Sequence, residues 1–388
     1  MIPRDAEKTL RQLARGYPVL AITGPRQSGK TTLARAIFDT HPYVSLENPV
    51  QREFAHNDPQ GFLEKYADGA ILDEAQRCPE LFSWLQGVVD REQRPAHFVL
   101  TGSQQFGLLS GITQSLAGRV ALLGLLPFTS GELSRVGMLP ASLDEALVIG
   151  SYPPIFDRQL DPGIWYANYV QTYLERDVRQ LIAIRDLGQF QRFLRLCAGR
   201  TGQLLNLSGL GDDAGVSHNT AREWISVLEA SYIIHRLPPH YRNFNKRLVK
   251  TPKLFFLDTG LAAWLLGIEN SIQLNTHPLR GALFETWVVA EYLKMRLNTA
   301  RPSNLSFWRD RSGHEVDLLI ERGGELYPVE IKSGATISRD ALRGLEKWKG
   351  ITGLTTPRPR LIYGGDETQH RSDVDIIPWN QLASLQHD

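Results

Sequence analysis

Three observations predict a multidomain α/β fold. Over residues 1–135, strand-like apolar runs alternate with helical ones, as a parallel sheet with crossover helices requires. From Ser142 to Arg200 the apolar residues fall at spacings of three and four, a helical pattern broken only at Pro153-Pro154 and Asp161-Pro162-Gly163. Near the C-terminus, two further strand-like runs, Arg311 to Ile320 and Tyr327 to Lys332, meet at Gly323-Gly324. A chain of 388 residues is long for one core, and these shifts in character divide it at 1–135, 136–200, 201–270 and 271–388.

The first region opens on Val19 to Ile22, an apolar strand. The run Gly24-Pro25-Arg26-Gln27-Ser28-Gly29-Lys30-Thr31 follows, then a helix-compatible stretch from Thr32 to Phe38. The run fits G-x-x-x-x-G-K-[ST] at every fixed position, in the strand–loop–helix setting that this motif needs. Such a loop wraps its backbone N–H groups round a phosphate at the positive end of the helix. Residues Gly24 to Thr31, with Thr32, are therefore candidate nucleotide contacts. Lys30 is placed to reach the β- and γ-phosphates and Thr31 to hold Mg²⁺, so ATP and Mg²⁺ are the expected cofactors and the sheet is that of a P-loop NTPase.

Tyr43-Val44-Ser45-Leu46 is a further strand. Ala70-Ile71-Leu72-Asp73-Glu74 reads as a buried strand ending in two carboxylates. Asp73 is the candidate metal-side group and Glu74 the candidate general base for an attacking water. The strand Phe98-Val99-Leu100-Thr101 runs into Gly102-Ser103-Gln104-Gln105, where Ser103 or Gln104 is placed to sense the γ-phosphate or fix the water. Arg119, after Ser115-Leu116-Ala117-Gly118, reads either as an arginine finger, in cis or on a neighbouring copy, or as a surface arginine.

The helical stretch 136–200 reads as a lid or linker. Leu204 to Leu237 then reads as a helix–turn–helix: one helix from Leu207, a turn at Gly215-Val216-Ser217, and a second helix capped by Ser217. Tyr232 to Leu237 is a strand, as the first limb of a wing. In a DNA-binding winged helix the start of the second helix enters the major groove, here His218, Asn219, Thr220 and Arg222. The alternative is a helix pair for packing or protein contact. From Arg236 to Lys253 the charged residues are all basic (Arg236, Arg242, Lys246, Arg247, Lys250, Lys253), with His240, Tyr241 and Phe244 interleaved. Such a stretch suits a phosphate backbone, with Lys246, Arg247 and Lys250 as candidate contacts, or is a solvated loop.

In the C-terminal region, a Gly323-Gly324 turn would bring Asp317 and Glu330 together, and Lys332 shares a strand face with Glu330. Two carboxylates and a lysine can hold Mg²⁺ and activate water for phosphodiester hydrolysis, and Glu285, on the preceding helical run Gly281 to Leu293, could add a third carboxylate. The spacing resembles the PD-(D/E)xK fold of restriction endonucleases and Holliday-junction resolvases, with Val316 in place of the proline. The resemblance implies a restriction-endonuclease-like α/β domain, either an active nuclease or a retained fold that no longer cuts.

Nearly the whole chain resembles the AAA_14/DUF4143 family of bacterial and archaeal AAA-type ATPases. Gly24 to Thr31, Leu72-Asp73-Glu74, Thr101-Gly102-Ser103 and Ser115 to Arg119 match its ATPase half. Tyr173 to Asp177, Lys246 to Lys250, Phe255 to Leu261 and Glu330-Ile331-Lys332 match its second half. The resemblance specifies the family and leaves its biological role open.

Composition is ordinary for a globular protein, with 42% hydrophobic and 22% charged residues. The 43 basic and 42 acidic residues give a net charge of +1, so total charge neither selects nor excludes nucleic acid. Cys78 and Cys197 are too few and too far apart for a disulfide framework or a cysteine metal site. The absence of a bilayer-length apolar run and of a signal-peptide core makes the cytoplasm the expected location, with no membrane partner. The expected function is hydrolysis of MgATP coupled to work on DNA, by a homo-oligomer if Arg119 acts across a boundary. Two rivals are an ATP-dependent switch acting through protein contacts, with a degenerate nuclease domain, and an ATP-gated, metal-dependent DNase.

Overall fold

The computed structural model describes residues 1–103, 115–174, 186–240, 249–310, 312–352, 357–370 and 374–387. Gln104, Gln105, Glu175-Arg176-Asp177, Tyr241, Arg242, Phe244, Lys246, Arg247 and Arg311 lie outside the described residues. The chain forms two compact units. The first comprises Met1–Phe128, Ala230–Tyr232 and Lys294–Pro302; the second comprises Thr129–Glu229, Ile233–Leu293 and Ser303–Asp388.

The first unit is built on a parallel sheet in the order β2-β3-β4-β1-β5. Its strands are β1 (Val19–Thr23), β2 (Tyr43–Ser45), β3 (Ala70–Asp73), β4 (Phe98–Gly102) and β5 (Val120–Gly124). In β1 all five residues are buried, as a central parallel strand covered on both faces requires. Its residues alternate between two cores. Val19 and Ala21 pack with Leu72, Phe82, Leu85 and Leu100, under α5 (Leu81–Glu92); Leu20 and Ile22 pack with Leu10 of α1 (Ala6–Leu13) and Leu33 of α2 (Lys30–Ile37). Two further helices, α3 (Pro49–Asn57) and α4 (Pro59–Lys65), begin on Asn48 and Asp58 caps, each followed by proline. Because the strands are parallel, Thr23, Asp73, Gly102 and Gly124 all end at one edge, where open α/β sheets bind ligands.

The second unit begins with short helices, α6 (Ser130–Arg135), α7 (Leu143–Ile149), α8 (Pro153–Asp157), α9 (Pro162–Tyr169) and α10 (Leu187–Ala198). Capping boxes at Thr129/Glu132 and Ser142/Glu145 start α6 and α7. Next come α11 (Leu207–Ala214) and α12 (His218–Ala230), joined through left-handed Gly215. A small sheet follows in the order β6-β8-β7, from β6 (Gln203–Leu204), β7 (Ile234–Leu237) and β8 (Lys253–Phe256). The strand expected from Tyr232 starts two residues later, because Tyr232 takes a left-handed φ of 57° and Ile233 N–H closes on Leu228 O at 2.9 Å.

After α13 (Thr259–Leu265), α14 (Ser271–Asn275) and α15 (Arg280–Asn298), the chain enters a six-stranded mixed sheet in the order β13-β14-β12-β11-β10-β9. Its strands are β9 (Leu305–Arg309), β10 (Glu315–Arg322), β11 (Glu325–Lys332), β12 (Arg360–Tyr363), β13 (Gln369–His370) and β14 (Asp375–Pro378). Gly323 and Gly324, both at positive φ, make the two-residue turn between β10 and β11, which pair antiparallel. Trp308, Val316, Leu319 and Leu326 pack against Leu345 and Trp348 of α16 (Arg343–Thr352). Among the described residues, no helix is long and apolar enough to cross a membrane.

Candidate functional site

The loop between β1 and α2 has the shape of a phosphate cradle. Gly24 and Gly29 take positive φ (148° and 92°), and Gln27 joins them at 65°. A Cβ on Gly24 would lie 2.1 Å from Leu125 O, so only glycine fits there. Lys30 opens α2, buried, and donates to Gly24 O (2.9 Å) and Pro25 O (2.7 Å). Among the described residues the buried Ser28 Oγ has no hydrogen-bond partner. An orphaned hydroxyl, a helix N-terminus and a buried ammonium fit a polyphosphate.

At the end of β3, Asp73 accepts from Thr31 Oγ1 (3.0 Å), from Tyr43 OH (2.7 Å) and, in a shorter contact, from Thr101 Oγ1. Burial, with Asp73 beside it, pushes the Tyr43 phenol up to about 12, so Tyr43 stays a donor to this carboxylate. Asp73 and Thr31 thus present oxygens together, the chemistry a hard divalent ion selects. Glu74 follows at a left-handed φ of 54°, which turns it out of the strand line. Its Oε2 accepts from Ser103 Oγ at 3.1 Å and, more closely, from Gln76 Nε2, while among the described residues its Oε1 has no hydrogen bond. Thr31, Asp73, Glu74 and Ser103 therefore meet at the edge where the loop opens.

Arg119 does not join them. It precedes β5, and Val19 N–H donates to its carbonyl at 3.2 Å, at the opposite end of β1 from the loop. Its guanidinium pairs with Asp90 through Nε and Nη2 (2.8 Å for the latter) and donates to Ala117 O at 3.1 Å. Of the readings open for Arg119, this placement disfavours a finger in cis and leaves a surface arginine or a finger on a neighbouring copy: a strand's length separates it from the phosphate cradle. Three other residues at the cradle escaped sequence reasoning. Buried Arg4 donates to Ser28 O (2.7 Å) and Leu126 O (2.6 Å), tying the loop to the end of β5. Glu47 takes Arg26 (3.5 Å) and Arg77 (3.2 Å). Nothing local to Arg4 or Glu47 marks these roles; Arg77, three residues past Glu74, could have been suspected from proximity.

In the second unit, Asp317, Glu330 and Lys332 come together as expected. Ile331 N–H donates to Asp317 Oδ2 at 2.8 Å, and Lys332 Nζ reaches Glu330 Oε1 (2.6 Å) and Asp317 Oδ2 (3.5 Å). Burial raises the Glu330 carboxyl to about 8 and Glu285 to about 7, well above the usual carboxylate range. Glu285, Glu315 and Asp317 can bring one oxygen each within 4.8 Å of one another, so Glu315, missed in sequence, belongs to the cluster. Lys253 also belongs to it: its Nζ donates to Glu285 Oε1 at 2.7 Å and pairs closely with Glu315.

His218, Asn219 and Arg222 are exposed on the first turns of α12, and Lys250 is exposed before β8. Ser217 Oγ caps α12 by accepting from Thr220 N–H at 3.1 Å. The basic stretch is not uniformly open to solvent. Arg236 forks onto Glu229, with Nε to Oε2 at 2.7 Å, and Lys253 is buried. Both ends of the stretch therefore face this chain's own carboxylates.

The geometry defines a P-loop ATPase of AAA type with a separate C-terminal α/β domain. The model of an AAA domain matches residues 16–134, that of a domain of unknown function (DUF8612) residues 140–272, and that of a second domain of unknown function (DUF4143) residues 280–382. The uncharacterized proteins Mb2031c of Mycobacterium bovis and Rv2008c of Mycobacterium tuberculosis are each 33% identical over 386 residues, which is 98% of this chain and 84% of theirs. The chain belongs to the AAA_14/DUF4143 family. The Walker-type ATPase PABY2304 of Pyrococcus abyssi aligns with 68% of this chain and 96% of its own, at 16% identity and a TM-score of 0.46. The RuvB Holliday junction branch migration motor of Thermotoga maritima aligns with 60% and 89%, at 19% identity and 0.30.

Proposed function

We propose that this protein hydrolyses MgATP to ADP and phosphate at the edge formed by β1, β3 and β4. The observation that carries this reading is the placement of Glu74: directly after the Asp73–Thr31 pair, oriented by Ser103 and Gln76 through Oε2, with Oε1 left to take a proton from water. Residues 24–32 hold the phosphates, with Lys30 leaving the loop carbonyls for the β- and γ-oxygens. Mg²⁺, when bound, neutralises phosphate charge and is held from the protein side by Thr31 and Asp73. ATP turnover and nucleotide affinity test the assignment. Lys30→Ala is expected to abolish turnover and sharply weaken ATP binding. Glu74→Gln is expected to keep binding and lose turnover by roughly 100-fold or more. Equal turnover in wild type and Glu74→Gln would reject the role given to Glu74.

The work coupled to this turnover is proposed to be on DNA. On this reading the α11–α12 pair and the β7–β8 strands serve as a winged-helix-like module, and exposed His218, Asn219 and Arg222 stand at the start of its second helix, where major-groove readers carry their contacts. Lys250, with Lys246 and Arg247, would add phosphate contacts. ATP turnover with and without single-stranded, duplex and four-way DNA tests this, and no stimulation together with no binding counts against it.

A second reading, an ATP-dependent switch working through protein contacts, is favoured by a groove of about 780 Å³ in the second unit. Val148, Ile149, Ile164, Trp264 and Ile268 line it, Glu145, Asp161 and Glu269 stand among them, and among the described residues no Lys or Arg does. Ile164 is 66% exposed. The groove suits a partner segment presenting apolar side chains flanked by basic ones, and Ile164→Glu should weaken such binding while leaving ATP turnover unchanged.

A further inference from the structure

We propose that Lys253 is the built-in cation of the C-terminal carboxylate cluster, and that it keeps divalent metal out. The PD-(D/E)xK resemblance implies Mg²⁺ on these carboxylates, but the residues present do not fit that ion. Lys253 is the first residue of β8, its side chain only 3% exposed. Its ammonium lies 2.7 Å from Glu285 Oε1, is paired closely with Glu315, and lies 5.4 Å from the centre of the Phe307 ring. It therefore occupies the two carboxylates that, with Asp317, would make up the metal-binding group.

The remaining charges are matched in the same way. Arg309 Nη1 reaches Glu315 Oε2 at 3.1 Å, and Lys332 serves Asp317 at 3.5 Å and Glu330 at 2.6 Å. Each of the four carboxyl groups thus already has a Lys or Arg of this chain as its partner. A Mg²⁺ ligated by Glu285 Oε1 would stand about 2.1 Å from that oxygen, and hence within about 5 Å of Lys253 Nζ. Two buried cations that close, sharing one anionic ligand, repel each other strongly in a medium less polar than water. Magnesium also needs near-octahedral oxygen ligation and retains water, for which the buried ammonium leaves no place. Lysine and metal are therefore mutually exclusive occupants.

The plug comes from elsewhere in the chain. Lys253 lies in the stretch matched as DUF8612, whereas Glu285, Glu315, Asp317 and Glu330 lie in the stretch matched as DUF4143. Metal-dependent strand cleavage at this cluster would first require β8 to withdraw its lysine. The proposal is independent of the ATPase reading, and neither stands or falls with the other.

Nucleotide-free full-length protein titrated with Mn²⁺, with free Mn²⁺ followed by electron paramagnetic resonance, tests it. Wild type and Lys253→Met are each compared with a matching Asp317→Asn form, which subtracts any ion at the phosphate loop. Wild type should show no Asp317-dependent saturable site. Lys253→Met should gain one that saturates at least tenfold below the highest Mn²⁺ concentration at which wild type shows none, and that Asp317→Asn removes. A saturable Asp317-dependent site in wild type overturns the proposal, as does folded Lys253→Met without the gain. Removing Lys253 leaves buried carboxylates unpaired, which can prevent folding. In that event the wild-type titration decides alone, absence of the site supporting the proposal and presence overturning it.

Discussion

Ser103 and Arg119 are both polar residues near strand ends, yet the parallel sheet sends them to opposite edges. Ser103 follows β4 and donates to Glu74 Oε2 at 3.1 Å; Arg119 precedes β5 and pairs with Asp90. Ser103→Ala would free Glu74, which already sits at a backbone angle few non-glycine residues adopt, to swing from its place. Turnover should then fall by about tenfold with ATP affinity unchanged, less than the roughly 100-fold or more expected for removing the base itself. Arg119→Ala should leave turnover within about twofold, because exposed ion pairs contribute little. Steady-state turnover and ATP affinity on both variants check the pair. A tenfold loss in Arg119→Ala, with unchanged thermal unfolding, would restore a catalytic role across a subunit boundary. Sequence order alone could not separate these two residues. Separating them needs the strand direction, and only the pairing of Val19 with both Phe98 and Val120 fixes which end of β5 faces the loop.

At the level of elements, the run Phe255 to Leu261 shows how a family signature can be architecture. Asp258 caps α13 by accepting from Leu261 N–H at 2.9 Å, which the local pattern of Asp before Thr-Gly-Leu foreshadows. The other partners of Asp258 are invisible locally. Ser151, 107 residues away, gives it N–H and Oγ at 2.8 and 2.9 Å, and Tyr166, 92 residues away, gives its hydroxyl at 2.6 Å. Gly150 and Gly260 make room, since a Cβ on either would meet the Tyr166 hydroxyl at 2.1 or 2.3 Å. One carboxylate thus joins α7, α9 and α13. Asp258→Ala should destabilise the second unit by roughly 3 kcal/mol, since it removes a cap and leaves buried donors unpaired. Chemical denaturation followed by tryptophan fluorescence would show it. A change below about 1 kcal/mol would mean that water replaces the carboxylate at little cost.

Over the whole molecule, what the sequence made legible is what repeats locally: the strand–loop–helix of Gly24 to Thr31, the alternation that builds β1 to β4, the Gly323-Gly324 turn, and Asp317 beside Glu330. Arg4 on Ser28 O, Tyr232 on Thr23 (2.7 Å between hydroxyls) and Lys253 on Glu285 were not legible. Each joins residues from 24 to 209 apart, and the pattern around either partner carries no trace of the other. Buried Glu330 has a consequence for the stability of the whole protein. Its folded-state carboxyl is raised to about 8, from an ordinary value of 4.5, by burial first and then by Asp317, against the opposing pull of Lys332. Between those two values the folded state holds a proton that the unfolded chain has released. Stability therefore falls as pH rises through that window, by at most about 1.4 kcal/mol per pH unit for this group. Glu285, raised to about 7, acts in the same direction. The melting temperature should accordingly be lower at pH 8 than at pH 6, by about 4 °C for a unit of this size. Glu330→Gln carries no titrating proton and should shrink the difference to the part that Glu285 supplies. Differential scanning calorimetry of both proteins at the two pH values decides it: the same slope in wild type and Glu330→Gln would show that Glu330 is ionised in the folded protein, held so by Lys332 at 2.6 Å.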